Sequence, residues 1–338
     1  MSRFHPSRRF LLTGAAAAAT VLTLPRLSRA AGGAPLSVAM LIPGRIDDGG
    51  FMQAGYAGLT SIRDQLGATI AYTDAVKPEP DLLAAALRDL AAAGPDMVIA
   101  HGGQNSKAAE MVAPEFPAVQ FVVVQGGVTG PNLSSYEVLQ EESAWLGGAL
   151  AGLTTKSGVV GHISGIRVRP GLKGRAAFAA GLRHTNPDAR LLTNFCGAQD
   201  DVALAKKVAQ AEIAEGADVI FTMLNAGRTG AIEACRETGC RQIGNVVDWT
   251  ATDPQVFIAS AIADVSKAGL QAARDFRDGR FQPGRTVHIG IADPQAVRLA
   301  LAPDVPQAIR ATLDSLATAI AAGEITVSTD YDGPEFTL

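Results

Sequence analysis

The feature that most constrains this chain is an alternation of short, wholly apolar runs with longer segments whose apolar residues recur at helical spacing. Near-continuous apolar runs at 37–42, 97–100 and 119–124 are typical of strands that are covered on both faces. The segments 51–66 and 81–93 between them have apolar residues three and four positions apart. Strand, helix and strand in this order favour parallel strands joined by crossovers. The sequence therefore predicts a doubly wound α/β lobe.

The same alternation restarts near residue 142 and predicts a second lobe. We therefore expect an α/β fold of two doubly wound parallel-sheet lobes joined by a multi-strand hinge. The first lobe is predicted to comprise 36–141 plus 250–285, and the second 142–249 plus 286–325. A strand near 256–262 is thereby expected in the first sheet and one near 286–291 in the second.

Loops that follow strands are the expected positions for a ligand site. In open α/β sheets, ligands bind beyond the carboxyl ends of the strands, and two facing lobes would share one cleft there. The loops nominated in this way are 43–51, 101–105, 125–129, 165–170, 196–200, 224–228 and 248–249.

The first thirty residues have the pattern of an export leader. Arg8 and Arg9 are followed by Phe10-Leu11-Leu12, an apolar stretch runs to Leu24, and Ser28-Arg29-Ala30 places small residues at a cleavage site. We expect a twin-arginine leader over 1–30, cleaved near Ala30, and a mature protein in the periplasm. The alternative is a membrane anchor, for which the stretch is short.

The charge of the chain excludes some partners. Removing the five arginines of the leader changes the formal net charge from −4 to −9. A chain this acidic has no electrostatic reason to bind nucleic acid or an anionic membrane surface. We therefore expect contact with a membrane only through a protein partner.

Three cysteines leave the redox chemistry open. Cys235 and Cys240 flank a predicted helix end, so a disulfide across that turn and two buried thiols are both compatible with the spacing. Cys196 stands apart from them. No His lies at ligand spacing near these cysteines, so no metal site is predicted.

Several short motifs follow one another between residues 36 and 301. The first is a pair of acids and an aromatic residue before a helix, and the others are Gly-containing helical and strand motifs. They are Asp47–Gln53, Glu141–Gly148, Phe178–Gly181 with Asn186-Pro187, Gly216–Phe221, and Ala226–Gly230.

In this order and spacing the chain resembles the basic membrane protein family, the purine-nucleoside-receptor-like substrate-binding proteins of ABC importers. The resemblance implies the type I periplasmic binding protein fold and capture of a purine-like nucleobase or nucleoside by lobe closure. It implies an ABC permease and its ATPase subunits as partners, a monomer in solution, no cofactor and no enzymatic activity.

The sequence departs from the family where a nucleoside would be held. Met52 replaces the nucleoside-binding Asn of the first loop, Val246 replaces an acid expected to hold ribose hydroxyls, and Ala263 replaces a Lys. Trp249 adds an aromatic face. These departures favour a free purine base or another flat heterocycle over a nucleoside.

The candidate ligand-binding residues are those suited to a flat heterocycle. Phe51, Phe195 and Trp249 are candidates for an aromatic sandwich, and Met52 stands beside the first of them. Asp48 and Asp248 accept hydrogen bonds from ring N–H and amine donors. The remaining edge contacts are expected from Asn105, Gln125 and Asn225.

Each candidate also has a structural interpretation. Asp48 is equally suited to capping the helix that begins near Gly50. Phe51 and Phe195 suit core packing as well as stacking, and Trp249 suits hinge packing. His101 also follows a strand, where a hydrogen-bonded loop histidine is the favoured interpretation.

Enzymatic and signalling functions have weaker support in the sequence. Phosphate-cradling loops, a strand-linked dinucleotide fingerprint, a G-x-S-x-G elbow and HExxH are absent from the sequence. The Asp47-Asp48 pair alone is a weak signal for a nucleoside-cleaving metal site. The alternatives that stay open are such a hydrolase and a ligand-sensing receptor subunit for signalling.

Overall fold

A computed structural model of the chain describes residues 35–338. The twin-arginine leader predicted over residues 1–30 lies outside the described residues. Within 35–338, no helix is both long and apolar enough to cross a membrane.

Strands and helices alternate along the described chain. The strands are β1 (Ser37–Leu41), β2 (Thr69–Thr73), β3 (Met97–His101), β4 (Gln120–Val124), β5 (Leu133–Val138), β6 (Val159–Ser164), β7 (Arg190–Phe195), β8 (Val219–Met223), β9 (Arg241–Val246), β10 (Phe257–Ala263), β11 (Thr286–Ile289) and β12 (Val297–Leu301). The helices are α1 (Phe51–Leu66), α2 (Pro80–Ala92), α3 (Ser106–Val112), α4 (Gln140–Thr154), α5 (Arg169–Thr185), α6 (Val202–Ala214), α7 (Arg228–Thr238), α8 (Ser266–Arg277) and α9 (Gln307–Ala321).

The strands form two six-stranded sheets. The first has the order β11-β5-β4-β3-β1-β2 and the second β12-β10-β9-β8-β6-β7. The neighbouring strands are parallel except for β12, which runs antiparallel to β10. The prediction of two doubly wound parallel sheets is therefore confirmed.

Two strands lie in the sheet opposite to the one predicted. The strand expected in the first lobe, β10, pairs with β9 and β12 in the second sheet. The strand expected in the second lobe, β11, pairs with β5 in the first sheet. These two assignments were wrong because the chain changes sheets right after β10. Helix α8, which follows β10, already packs against α1 and β5. These elements belong to the part of the molecule built on the first sheet, called the first half below, and the part built on the second sheet is called the second half. The lobe boundaries themselves stay a prediction.

The second half is organised around a very close contact of α4 with α5. A Cβ added to Gly148 of α4 would lie 2.0 Å from the backbone oxygen of Phe178, and one added to Gly181 of α5 would lie 1.9 Å from that of Trp145. These distances are far inside van der Waals contact, so the two helices meet backbone to backbone at these glycines. By contrast, a Cβ on neighbouring Gly147 would lie 3.4 Å from Ile243, an ordinary contact.

Two histidines are buried in strands and held neutral. His101 ends β3, and burial lowers its pKa to about 4 although the Phe51 carbonyl and Asp48 both act to raise it. His162 lies in β6 between the hydroxyl groups of Thr193 (2.8 Å) and Ser164 (3.0 Å). Burial, with Arg175 adding to it, lowers the pKa of His162 to about 3.

Cys235 and Cys240 are both buried and both free thiols in the structure. Cys235 lies in the last turn of α7, and Gly239 closes that turn in the left-handed conformation with its N–H on the Cys235 carbonyl (2.8 Å). This turn brings the residue after Gly239 back over the helix end.

The helix contact predicts opposite outcomes for two adjacent glycines. Gly148→Ala should lower the free energy of unfolding by about 3 kcal/mol, because the new methyl group forces α4 and α5 apart. Gly147→Ala should be neutral or slightly stabilising, since Ala favours the helix and has room there. Urea denaturation of both variants measures this. Equal effects of the two substitutions would contradict the close contact.

The buried histidines predict a loss of stability in acid. Their pKa values are lower in the folded than in the unfolded chain, so their contribution is present above about pH 6.5 and is lost as the pH falls towards 4. For His101 the full loss is about 3 kcal/mol. The dependence of unfolding free energy on pH between 6.5 and 4 should therefore be shallower in His101→Gln. The matched control is the same substitution at an exposed histidine, His184→Gln, and an equal change of slope in both variants would contradict a role of burial.

Candidate functional site

A cavity lies where the carboxyl ends of strands from both sheets meet. Together with the open solvent space at its mouth, it spans about 670 Å³. The first half contributes the start of α1 and the turn after β3, and the second half contributes the ends of β6, β8 and β9 and the loops after them. The lining residues are Phe51, Met52, Gly103, Gln104, Gln140, Ser164, Ile166, Val168, Pro170, Gly171, Gln199, Met223, Asn225, Asn245 and Val246.

The lining is apolar with neutral polar groups. Its polar side chains are one hydroxyl and five amides, and within the described part of the chain it contains no charged side chain. Amides both donate and accept hydrogen bonds, whereas a phosphate or carboxylate ligand calls for cations or a cluster of N–H donors. The arrangement suits an uncharged ligand with hydrogen-bonding edges and apolar faces.

Asp48 fixes the start of α1. Its carboxylate accepts hydrogen bonds from the backbone N–H groups of Gly50 (2.8 Å), Met52 (3.1 Å) and Gln53 (3.0 Å). These groups have no partner within the helix, so the carboxylate caps α1 from a position just before it. Asp48 lies outside the cavity lining, and its hydrogen bonds hold Phe51 and Met52 in place within it.

Phe51 lies on a buried histidine. Its ring is 4.3 Å from the ring of His101 at an angle of 30°, and its carbonyl oxygen is 2.8 Å from Nε2 of the same histidine. A carbonyl only accepts, so Nε2 carries the proton and the neutral ring is the donor. The two contacts fix the backbone and ring of Phe51, leaving the other face of the ring towards the cavity.

Asn105 and Gln125 serve the backbone of the first half. Asn105 Nδ2 donates to the carbonyls of His101 (2.9 Å) and Gly102 (3.0 Å), and its Oδ1 is buried without a hydrogen-bond partner among the described residues. Gln125 both donates to and accepts from Val138, at 2.9 and 2.7 Å. Both side chains are buried and lie outside the cavity lining.

Phe195 is enclosed by cations beside the cavity. The guanidinium carbons of Arg167 and Arg175 lie 4.8 and 5.0 Å from its ring centroid, and both arginines pair with Glu335 near the end of the chain. Cation–π contacts of this kind occupy the ring faces. Phe195 therefore packs within this cluster, outside the residues that line the cavity.

Asn225 brings the two halves into contact. It follows β8 and lines the cavity, and a Cβ added to Gly50 at the start of α1 would lie 3.0 Å from its Oδ1. Arg169 at the start of α5 also forms an ion pair with Glu137 of β5. The two walls of the cavity therefore touch in this structure.

Asp248 and Trp249 hold the turn after β9. The Asp248 carboxylate accepts from the N–H (3.0 Å) and hydroxyl (2.6 Å) of Thr250. The backbone N–H of Trp249 donates to Ser260 Oγ (2.9 Å), and its indole Nε1 donates to the Asn245 carbonyl (3.1 Å). Neither residue is part of the cavity lining.

Of the nine predicted ligand-binding residues, three line the cavity together: Phe51, Met52 and Asn225. The other six lie outside the lining, in the roles described above, and direct contact with a ligand stays a prediction for all nine. The sequence analysis missed the amides Gln104, Gln140, Gln199 and Asn245. Gln104 and Gln199 lie in loops that it had nominated, so their position after a strand was a usable signal. Gln140 begins a helix and Asn245 lies within β9, where no such signal exists.

Arg228, also missed, is a buried cation behind the cavity wall. It is the first residue of α7 and is 2% exposed. Its guanidinium carbon lies 4.3 Å from the Trp249 ring centroid, and Nη2 donates to the Leu224 carbonyl and to Asn245 Oδ1. Burial lowers the pKa of Arg228 to about 9, although Asp48 acts to raise it. The side chain is still a cation at neutral pH.

Val246 has an unfavourable backbone conformation at the cavity. Its φ is +70°, in the left-handed region that β-branched residues rarely adopt. Such conformations cost of order 1–3 kcal/mol and are found mainly at functional sites.

A metal centre has no support in the described part of the chain. No group of three or more His, Cys, Asp or Glu side chains that could hold a metal ion is found there. The carboxylates of Asp47 and Asp48 have different partners, because Asp47 forms an ion pair with Arg45 (2.8 Å) while Asp48 caps α1.

The chain is similar to several characterised proteins. It is 27% identical over 247 residues to the transcriptional activator protein Med of Bacillus subtilis, covering 73% of this chain and 77% of that protein. It is 23% identical over 297 residues to basic membrane protein A2 of Borrelia garinii subsp. bavariensis, covering 86% and 87%. It is 23% identical over 214 residues to a purine-binding protein of Brucella abortus, covering 63% and 60%.

Solved structures share the fold. A solute-binding protein of an ABC transporter system from Aeropyrum pernix K1 superposes with a TM-score of 0.77 at 20% identity, covering 88% of this chain and 94% of that one. The sequence profile of the Bmp family, described as ABC transporter substrate-binding protein PnrA-like, matches residues 36–328. The chain belongs to this family of ABC transporter substrate-binding proteins.

Proposed function

We propose that the protein is the periplasmic substrate-binding protein of an ABC importer and that it captures a neutral, purine-like nucleobase between its two lobes. The observation that carries the proposal is the uncharged lining of the cavity, with amides around an apolar interior. A flat heterocycle matches this surface, because its faces are apolar and its edge carries donors and acceptors. Phe51, supported from behind by His101, is the aromatic surface for the base.

The same lining favours a base over a nucleoside. Ribose hydroxyl groups are commonly held by carboxylates, and the described lining has an aliphatic side chain, Val246, where the resemblance to the family leads one to expect an acid. The purine-binding protein of Brucella abortus supports the purine class. A phosphorylated ligand is disfavoured because the residues that line the cavity in the described part of the chain include no cation.

Export and transport complete the proposal. The twin-arginine pattern of residues 8 and 9 would deliver the folded chain to the periplasm. A permease with its ATPase subunits would recognise the closed form, and the protein itself would act as a monomer that binds without turnover. The Asp47–Arg45 pair and the capping role of Asp48 count against a nucleoside-cleaving metal site.

A ligand panel tests the chemical class. In isothermal titration, purine bases should bind, nucleosides should bind at least about tenfold more weakly, and nucleotides should not bind. Phe51→Ala should weaken base binding by about tenfold or more through loss of the stack. Phe116→Ala is the matched control, since Phe116 is a half-buried phenylalanine in the segment before β4 and outside the cavity lining. Tighter binding of guanosine or inosine than of any base, or release of a base from them, would overturn the proposal.

Closure predicts a change in size. The ligand bridges both walls and stabilises the closed form, so the radius of gyration from small-angle X-ray scattering should fall when a binding base is added. The Phe51→Ala variant should need about tenfold or more base to reach the same decrease. Unchanged dimensions of the wild-type protein at saturation would contradict lobe closure.

A further inference from the structure

The orientation of one amide in the cavity is imposed from behind the wall. Asn245 lines the cavity, and its Oδ1 accepts a hydrogen bond from Nη2 of the buried Arg228. A guanidinium has only donors, so it can be paired only with the oxygen of an amide. The Nδ2 group of Asn245 is thereby directed away from Arg228 and left as a donor.

Trp249 makes this orientation rigid. Its ring lies 4.3 Å from the guanidinium carbon of Arg228, and its Nε1 donates to the backbone carbonyl of Asn245 at 3.1 Å. The same Nη2 of Arg228 also donates to the Leu224 carbonyl. Cation, indole and amide form one connected group, so turning the amide over would place N–H against N–H.

A second amide is fixed with the opposite polarity. Gln140, at the start of α4, donates from Nε2 to the Pro170 carbonyl at 2.7 Å. Its Oε1 is left as an acceptor. The cavity therefore has one amide held as a donor, on β9, and one held as an acceptor, on α4.

Arg228 is poorly explained as a stabilising residue. Its Nε and Nη1 are buried and have no hydrogen-bond partner among the residues that the structure describes. An incompletely paired buried cation destabilises a fold compared with an apolar side chain of similar size. A role in arranging the neighbouring amide accounts for a cation at this position.

We propose that Arg228 is a positioning residue that makes the cavity select a heterocycle with an acceptor, such as an oxo group, facing Asn245. A base with an amino group there would place donor against donor, which leaves a buried polar group unpaired. This inference rests on the proposed function. Among purines, hypoxanthine carries an oxo group at the ring position where adenine carries an amino group, so the two form the diagnostic pair.

The test compares the affinities of hypoxanthine and adenine in four proteins by isothermal titration. Wild type should prefer hypoxanthine by at least about tenfold. Asn245→Asp replaces the donor by an acceptor of the same shape and keeps the pairing with Arg228, so the preference should reverse towards adenine. Arg228→Met frees the amide to turn, so the two bases should bind within about threefold of each other. Arg228→Lys keeps a donor against Oδ1 and should keep the wild-type preference.

Asn186→Asp is the matched control for the change of amide to acid. Asn186 follows the end of α5, and the start of that helix borders the cavity, so the two sites are separated by about 25 Å of helix. This variant should keep the wild-type preference and affinity. Thermal unfolding of each variant identifies any that fail to fold, and the isosteric Asn245→Asp decides the question if Arg228→Met does not fold.

The outcomes separate the inference from the proposed function. If wild type binds no purine base of the ligand panel, the proposed function fails and the inference falls with it. If it binds other bases of the panel but neither hypoxanthine nor adenine, the inference alone fails. If bases bind but adenine is preferred, or Asn245→Asp leaves the ratio unchanged, the role of Arg228 is wrong while base capture stands. The inference is supported if the preference reverses in Asn245→Asp, is lost in Arg228→Met and is kept in Arg228→Lys. A residue that acted only by packing would not produce this pattern.

Discussion

The backbone-to-backbone contact of α4 with α5 determines how the second half of the molecule meets the cavity. Because Gly148 and Gly181 admit no side chain, the helices approach closely enough for their first turns to meet. Gln140 of α4 then reaches the Pro170 carbonyl at the start of α5, and both residues line the cavity. A packing requirement in the middle of two helices thus fixes an acceptor group in the cavity.

This contact also explains part of the resemblance to the family. The motif Glu141–Gly148 lies on α4 and Phe178–Gly181 lies on α5, and the carbonyls of Trp145 and Phe178 face the glycine of the other motif. The two motifs are therefore one structural feature and say little about the ligand. The loop motif Asp47–Gln53 differs, because its acid caps α1 and its aromatic residue enters the cavity. Family membership is consequently better supported by these motifs than ligand identity is.

Apolar periodicity was sufficient to predict most elements of this fold. The helix over 51–66 has the predicted bounds, and the strands predicted over 37–42, 97–100 and 119–124 differ from the observed ones by one residue each. Strand β5 was missed because its sequence is polar although it is fully buried. Its Ser135 hydroxyl is paired with the backbone of Val128, and its Tyr136 hydroxyl donates to Asp275. Such partners are distant in sequence and leave no local pattern.

The candidate site was predictable as a set of loops but less so as a set of side chains. Polar residues after strands were expected to line the cleft, yet a polar side chain in a loop satisfies backbone groups as readily as it faces a cavity. Asp48, Gln125 and Asp248 do the former. Arg228 and Asn245 show the converse limit, since an arginine at a helix start gives no indication that it will be buried against an amide seventeen positions later.

The two walls of the cavity differ in how well their groups are satisfied, and this difference indicates where ligands are distinguished. On the first wall, Asp48 caps α1 and His101 supports Phe51, so the wall is a rigid apolar platform. On the second wall, Val246 has a positive φ and Arg228 keeps unpaired buried N–H groups. Unfavourable features persist only where the surrounding structure imposes them, and they concentrate at functional positions. Val246 ends β9 and Arg228 lies behind it at the start of α7. Under the proposed function, discrimination between related heterocycles would therefore fall to the second wall, and the first wall would contribute affinity for a flat apolar face.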